Sequence, residues 1–147
     1  MALMQKGVAL AAGRMPKMIS PRVHSALDYA VAGSFLLMGA WYWRRNRRAA
    51  VGSLLCGGAT AAVSLLTDYP GGARKVISYP MHGQIDGGLI AMTAAMPKLL
   101  HIENEPEAKA FARQALAKTA ITAMTNFDYG KRKKKRDKQD EEERLGI

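Results

Sequence analysis

Long apolar runs broken by short charged clusters make up most of this chain, a pattern that predicts helices buried along their whole length rather than half-exposed ones. From Ala49 to Thr67 it reads AAVGSLLCGGATAAVSLLT without a charged residue, close to the roughly 20 residues that cross a bilayer as a helix. Its Gly, Ala, Ser and Thr content suits close helix packing in lipid. Ahead of it, AVAGSFLLMGAWYW (Ala30 to Trp43) is apolar and ends in Trp41, Tyr42 and Trp43, an aromatic belt followed at once by Arg44, Arg45, Arg47 and Arg48 around Asn46. A third run, GGLIAMTAAMPKLL (Gly87 to Leu100), contains Pro97, which is expected to end or kink its helix. The fourth, AFARQALAKTAITAMTNF (Ala110 to Phe127), carries Arg113 and Lys118 and taken alone reads as amphipathic rather than spanning.

An internal repeat changes the picture of that fourth run. ISPRVHSALD (Ile19 to Asp28) and ISYPMHGQID (Ile77 to Asp86) begin alike and carry the same His and Asp. Sliding the chain by 58 residues (82 − 24 = 58) places Ile19, Ser20, His24 and Asp28 on Ile77, Ser78, His82 and Asp86. The same shift places Met38 on Met96, Asn46 on Asn104, Ala50 on Ala108 and Thr67 on Thr125 without a gap. A tandem duplication of a helical hairpin is implied, and the fourth run then spans like its counterpart. Arg113 and Lys118 must in that case face a protein interior or a watery groove, or snorkel outward.

The expected fold is all-α: four transmembrane helices, near 22–44, 48–68, 80–100 and 107–127, forming two tandem hairpins. The corresponding divisions are an N-terminal tail (1–17), hairpin repeats at 18–69 and 76–127, and a charged tail (128–147). Two helices per repeat bring both repeats in from the same side, as a parallel repeat about an axis along the membrane normal. The mean hydropathy of -0.14 by itself suits a soluble bundle, but it averages the apolar runs with the charged tail, and windowed hydropathy is the relevant quantity.

A His, an Asp four residues on, an apolar helix and a proline about fifteen residues after the His resemble the bacterial SPW-repeat membrane proteins, whose unit is such a hairpin with Ser-Pro-Trp ending its first helix. Here Pro97 holds the proline position of the second copy, without the Ser or Trp. The first copy has Gly39 there, with Trp41 two residues on. The resemblance spans roughly 18–127 and implies the architecture and no activity.

Ser20 with Pro21 and Ser78 with Pro80 read as helix starts, Ser as N-cap and Pro in the first turn. His24 and Asp28, like His82 and Asp86, then share one face of the first two turns. The second helix of each hairpin returns to that level, bringing the polar residues Thr67, Asp68, Thr125 and Asn126 alongside. This cluster admits a structural role, in which His–Asp pairs pin the helix starts. It also admits a divalent-metal site with His24, Asp28, His82 and Asp86 as ligands, or a proton or redox relay. Haem between the two His is conceivable without an attachment motif. No cofactor is required by any motif, and no nucleophile–base constellation or phosphate loop suggests an enzyme. Cys56 alone offers neither a disulfide framework nor a cysteine-based zinc site.

The net charge of +10 lies largely in clusters flanking the apolar runs. The arginines of the first hairpin turn correspond to a second turn containing Glu103, Glu105 and Glu107, which admits either ordinary solvated turns or pairing of the acidic turn with the basic one, within the bundle or across a homo-oligomer. Lys131, Arg132, Lys133, Lys134, Lys135 and Arg136 follow the last run and are candidates to contact anionic lipid headgroups. With Arg22, Arg74 and Lys75 they favour both termini on the cytoplasmic side of a bacterial cytoplasmic membrane. Val8 to Ala12 is too short for a signal-peptide core, and the tail beyond Gly130 is expected to be disordered or a frayed helix. The most economical function is a structural or accessory membrane protein in contact with the lipid bilayer. A His/Asp metal, proton or redox site is the second, and a soluble basic helical protein binding nucleic acid the third, disfavoured because no aromatics interleave the basic tail.

Overall fold

The computed structural model of the chain describes residues 16–147 and Lys6. It describes the side chains of those residues except 129–131 and 133. The reading of the N-terminal tail and its short apolar stretch therefore falls mostly outside the described residues.

Among the described residues five helices follow one another from Pro21 on: α1 (Pro21–Tyr42), α2 (Arg47–Leu65), α3 (Tyr79–Leu99), α4 (Ala108–Ala123) and α5 (Tyr129–Leu145). Ser20 and Ser78 cap α1 and α3, their hydroxyls accepting from Val23 N and Met81 N at 3.4 Å each, with Pro in the first turn where its missing N–H is no loss. Asn46 caps α2 through Ala49 N at 3.1 Å. α3 runs through Pro97 and ends at Leu99. Pro97 lacks only the one amide donor, and the chain closes two residues after it.

The first four helices form a bundle in which α1 packs on α2, α2 on α3, α3 on α4 and α4 back on α1. Gly57 makes the α1–α2 contact close: a Cβ there would lie 2.9 Å from Phe35 Cβ and 3.1 Å from Ala32 O. Toward the hairpin turns the interior is apolar, with Val31, Phe35, Cys56, Met96, Ile102 and Phe111 buried together. Toward the other end it is polar, which is where the site lies.

Two isolated parallel bridges close that end, Thr67 with Ile77 and Ile19 with Thr125. They obey the 58-residue shift (19 + 58 = 77; 67 + 58 = 125), and each ties the end of one helix pair to the start of the other. Ile19 N donates to Met124 O at 3.0 Å and Ile77 N to Leu66 O at 2.8 Å.

Of the two readings of the charged tail, disordered or a frayed helix, the structure has the helix: α5 consists mostly of Lys, Arg, Glu, Asp and Gln and is ended by Gly146 in the left-handed conformation at φ 68°. The turns do not pair as two blocks of opposite charge. Arg48 alone of the four arginines reaches an acid, Glu105 Oε1 at 3.2 Å, and it also donates to the carbonyls of Leu100 and His101 at 3.2 Å. Arg45 and Arg47 lie over Trp41 and Trp43 instead, while Asn46 bonds Glu105 and Glu107. Of the helices, α2 has both the length and the mean hydropathy (1.3) of a membrane span.

Candidate functional site

His24 and Asp28 on α1 meet His82 and Asp86 on α3 at the bundle axis, all four fully buried. The spacing of four puts each His and Asp on one helix face, and the 58-residue shift turns the two faces toward one another. His24 Nε2 lies 3.2 Å from His82 Nε2. The links between hairpins are the shorter ones: His24 Nε2 to Asp86 Oδ2 is 3.1 Å and His82 Nε2 to Asp28 Oδ2 is 2.9 Å, against 3.3 Å for both pairs within a helix.

Each imidazole is held from behind by a threonine of the other hairpin. Thr125 Oγ1 is 2.7 Å from His24 Nδ1, and Thr67 Oγ1 is 2.7 Å from His82 Nδ1. Both hydroxyls also lie 2.6 Å from the carbonyl four residues back, Ile121 O and Val63 O. A hydroxyl has one proton, and at 2.6 Å the carbonyl must receive it. The threonine oxygen therefore accepts from Nδ1–H, which assigns the proton of a neutral ring to Nδ1 and leaves Nε2 with its lone pair aimed at the axis.

The carboxylates are tied by matching contacts. Ser64 Oγ donates to Asp28 Oδ2 at 3.4 Å and Thr122 Oγ1 to Asp86 Oδ2 at 3.5 Å, positions again 58 apart. Tyr69 OH donates to Asp28 Oδ2 at 3.4 Å; burial pushes the Tyr69 hydroxyl well above its ordinary value, so it remains a donor. Its counterpart, Phe127, has no hydroxyl to offer Asp86. Tyr69, Tyr79 and Phe127 cover the two imidazoles on the side of the chain termini, their ring centroids 5.2 to 6.5 Å from the imidazoles, with Tyr79 6.0 Å from Tyr69 and 5.0 Å from Phe127. Gly83 leaves room for Phe127, whose ring a Cβ would meet at 2.9 Å.

Lys118 of α4 completes the centre. It is 2% exposed, and its Nζ lies 3.2 Å from Asp28 Oδ1 and 2.8 Å from Asp86 Oδ1. The second contact is close but off the hydrogen-bonding direction, so Asp86 Oδ1 has no formed hydrogen bond. The ammonium thus touches the outer oxygens of both carboxylates while the Oδ2 atoms face the imidazoles.

Of the residues singled out in the sequence, His24, Asp28, His82, Asp86, Thr67 and Thr125 come together. Asp68 and Asn126 do not. Asp68 is exposed and pairs with Lys75 at 3.4 Å, and Asn126 turns back to accept from Asp128 N at 3.2 Å. The described side chains of the basic tail, Arg132, Lys134, Lys135 and Arg136, are exposed on α5. A haem bridging the two His does not fit: an iron bound on both faces holds its nitrogens roughly 4 Å apart, twice a bond of about 2.0 Å. Here they are 3.2 Å apart with both carboxylates between the helices. Comparison with family models, with curated proteins and with solved structures returns no match to this chain.

Proposed function

We propose that the chain is an integral membrane protein of four spanning helices, α1 to α4, which binds a cation at the buried centre formed by His24, Asp28, His82, Asp86 and Lys118. The observation that carries this is a reversal of the usual polarity. Leu37, Trp41, Leu55, Leu65, Met81, Leu99 and Leu116 are exposed on the outside of the bundle, while two His, two Asp and a Lys are buried inside it. Between Val23 and Tyr42, and between Ala49 and Leu65, the chain has no outward charged residue. Such a surface is disfavoured in water and natural in lipid, where ionisable side chains face the bundle interior and mark function.

At 1.5 Å per residue α1, α2 and α3 are about 33, 29 and 32 Å long, enough for a hydrocarbon core of roughly 30 Å. The shortest, α4, is about 24 Å, and its one outward mid-helix charge, Arg113, lies near the hairpin-turn end, within reach of the interface by snorkelling. The centre would sit one to two turns inside the face that carries the chain termini. Arg22, Arg74, Lys75 and α5 flank that face and favour its being cytoplasmic. Kinship with the SPW-repeat proteins agrees with this arrangement and rests on the repeated motif.

The test is extraction. The protein is expected to stay with membranes through alkaline carbonate and high salt and to be released only by detergent. Release by carbonate alone would overturn the membrane assignment.

A further inference from the structure

With both rings neutral, the centre presents four lone-pair donors. Both Nδ1 protons are committed to threonines, so each neutral ring turns an acceptor inward. The two Oδ2 atoms are acceptors too, and Lys118 touches only the Oδ1 side. The donors are separated by 2.9 to 3.3 Å in the five distances between His and His or His and Asp. Acceptors crowded at this distance repel unless protons on Nε2 or a metal cation stand between them, and the metal takes the place of those protons. A regular tetrahedron with metal–ligand bonds of about 2.0 Å has edges of about 3.3 Å. Five of the six edges have about that length and all four donors lie within 4.8 Å of one another, so the cluster needs only a small adjustment of the two carboxylates to close around one four-coordinate ion with His₂Asp₂ ligation.

We propose that His24 Nε2, His82 Nε2, Asp28 Oδ2 and Asp86 Oδ2 bind one divalent d-block ion of the size and tetrahedral preference of zinc. The proposal deepens the cation-binding assignment above and rests on it. Donor chemistry excludes other classes. Calcium takes six to eight oxygens at longer distances and magnesium an octahedron of oxygens, whereas two imidazoles and two monodentate carboxylates suit zinc or divalent cobalt. Thr67 and Thr125 are the outer partners that fix the tautomer of each imidazole ligand. Lys118 occupies the outer carboxylate oxygens and thereby keeps each Asp to a single donor oxygen. Among the described residues no cysteine belongs to the donor cluster, and Cys56 lies lower in the apolar half, beside Thr93.

The experiment is a cobalt titration of the full chain, purified in detergent and stripped with chelator. The expected result is one Co²⁺ per chain with the intense visible bands of four-coordinate cobalt, displaced by Zn²⁺ and not by a thousandfold excess of Mg²⁺ or Ca²⁺. His82→Gln and Asp86→Asn should each weaken binding at least a hundredfold, while Asp68→Asn leaves it unchanged. Should either ligand variant fail to fold, Thr67→Val gives the second readout: the cobalt bands persist with weakened affinity. Absence of binding, the weak spectrum of six-coordinate cobalt, or unchanged affinity in His82→Gln with native helicity would overturn the site. Tight tetrahedral binding by a protein that carbonate releases from membranes would leave the metal site standing and remove the membrane assignment. Membrane retention without cobalt binding would do the reverse.

Discussion

His24 and His82 point their Nε2 atoms at each other from diagonal helices, 3.2 Å apart, and each is braced from behind by a threonine belonging to the other hairpin. Because the bracing is reciprocal, the two threonines should matter equally. Thr67→Val and Thr125→Val keep the shape and remove the hydroxyl that receives Nδ1–H. Each is expected to lower Zn²⁺ affinity by about 10- to 100-fold, measured by competition against a chromophoric chelator. An effect from one threonine alone would contradict the equivalence.

Lys118 separates two roles by sign. As a holder of the carboxylates it should support metal binding, so Lys118→Met lowers affinity by about tenfold or more. A rise in affinity would mean instead that the ammonium competes with the ion. In the metal-free protein the same substitution leaves two buried carboxylates without their cation and should cost about 3 to 5 kcal/mol, read from unfolding in mixed detergent. Adding Asp28→Asn should restore part of the loss, because one of the two charges is then gone.

At the opposite end, Asn46 and Arg48 both join the first hairpin turn to the second, with different weight. Arg48 is 56% exposed in its pair with Glu105, so Arg48→Ala should cost at most about 1 kcal/mol. Asn46 caps α2 and bonds Glu105 and Glu107 as well. Asn46→Ala should cost about 1 to 2 kcal/mol without altering cobalt binding. Equal losses from the two substitutions would show that the cap is not what matters.

Sidedness can be read with single cysteines in a Cys56→Ala background. Cysteines at Met18 and Lys75 are expected to react with an impermeant maleimide from the same side of sealed vesicles, and a cysteine at Arg45 from the other. Labelling of Lys75→Cys and Arg45→Cys from one side would break the four-span topology.

Most of the scaffold was legible from local chemistry and the repeat. The Ser caps, the helix-starting prolines and the 58-residue shift placed the helix starts within one residue and brought His24 to His82. The helix ends lay up to four residues short of the expected bounds, because Leu66 and Met124 give way to the turns that carry Thr67 and Thr125. Lys118 was legible as a charge that, once the repeat made its helix a span, had to face an interior or a watery groove or snorkel outward, but nothing tied it to Asp28 and Asp86. The shift pairs it with Thr60, an uncharged residue, so the repeat gave it no counterpart by which to place it at the centre. Asp68 and Asn126 adjoin the threonines in sequence, but the chain turns at those residues. Asp68 N goes to Ile77 O at 2.8 Å, which sends its side chain to solvent. For α5 the sequence left two readings open, because a segment with nothing to bury reads as disordered while its residues are good helix formers.

The crossed threonines have a consequence for biogenesis. A hairpin inserted alone owns a histidine but not the hydroxyl that orients it; that hydroxyl arrives with its sibling. The two halves therefore act as keys to each other's locks. On the membrane assignment proposed above, each hairpin alone would leave an unbraced imidazole and a bare carboxylate facing lipid, an arrangement of high cost. Completion of the centre would then double as a checkpoint on assembly, met only when the second hairpin has entered in the same direction as the first.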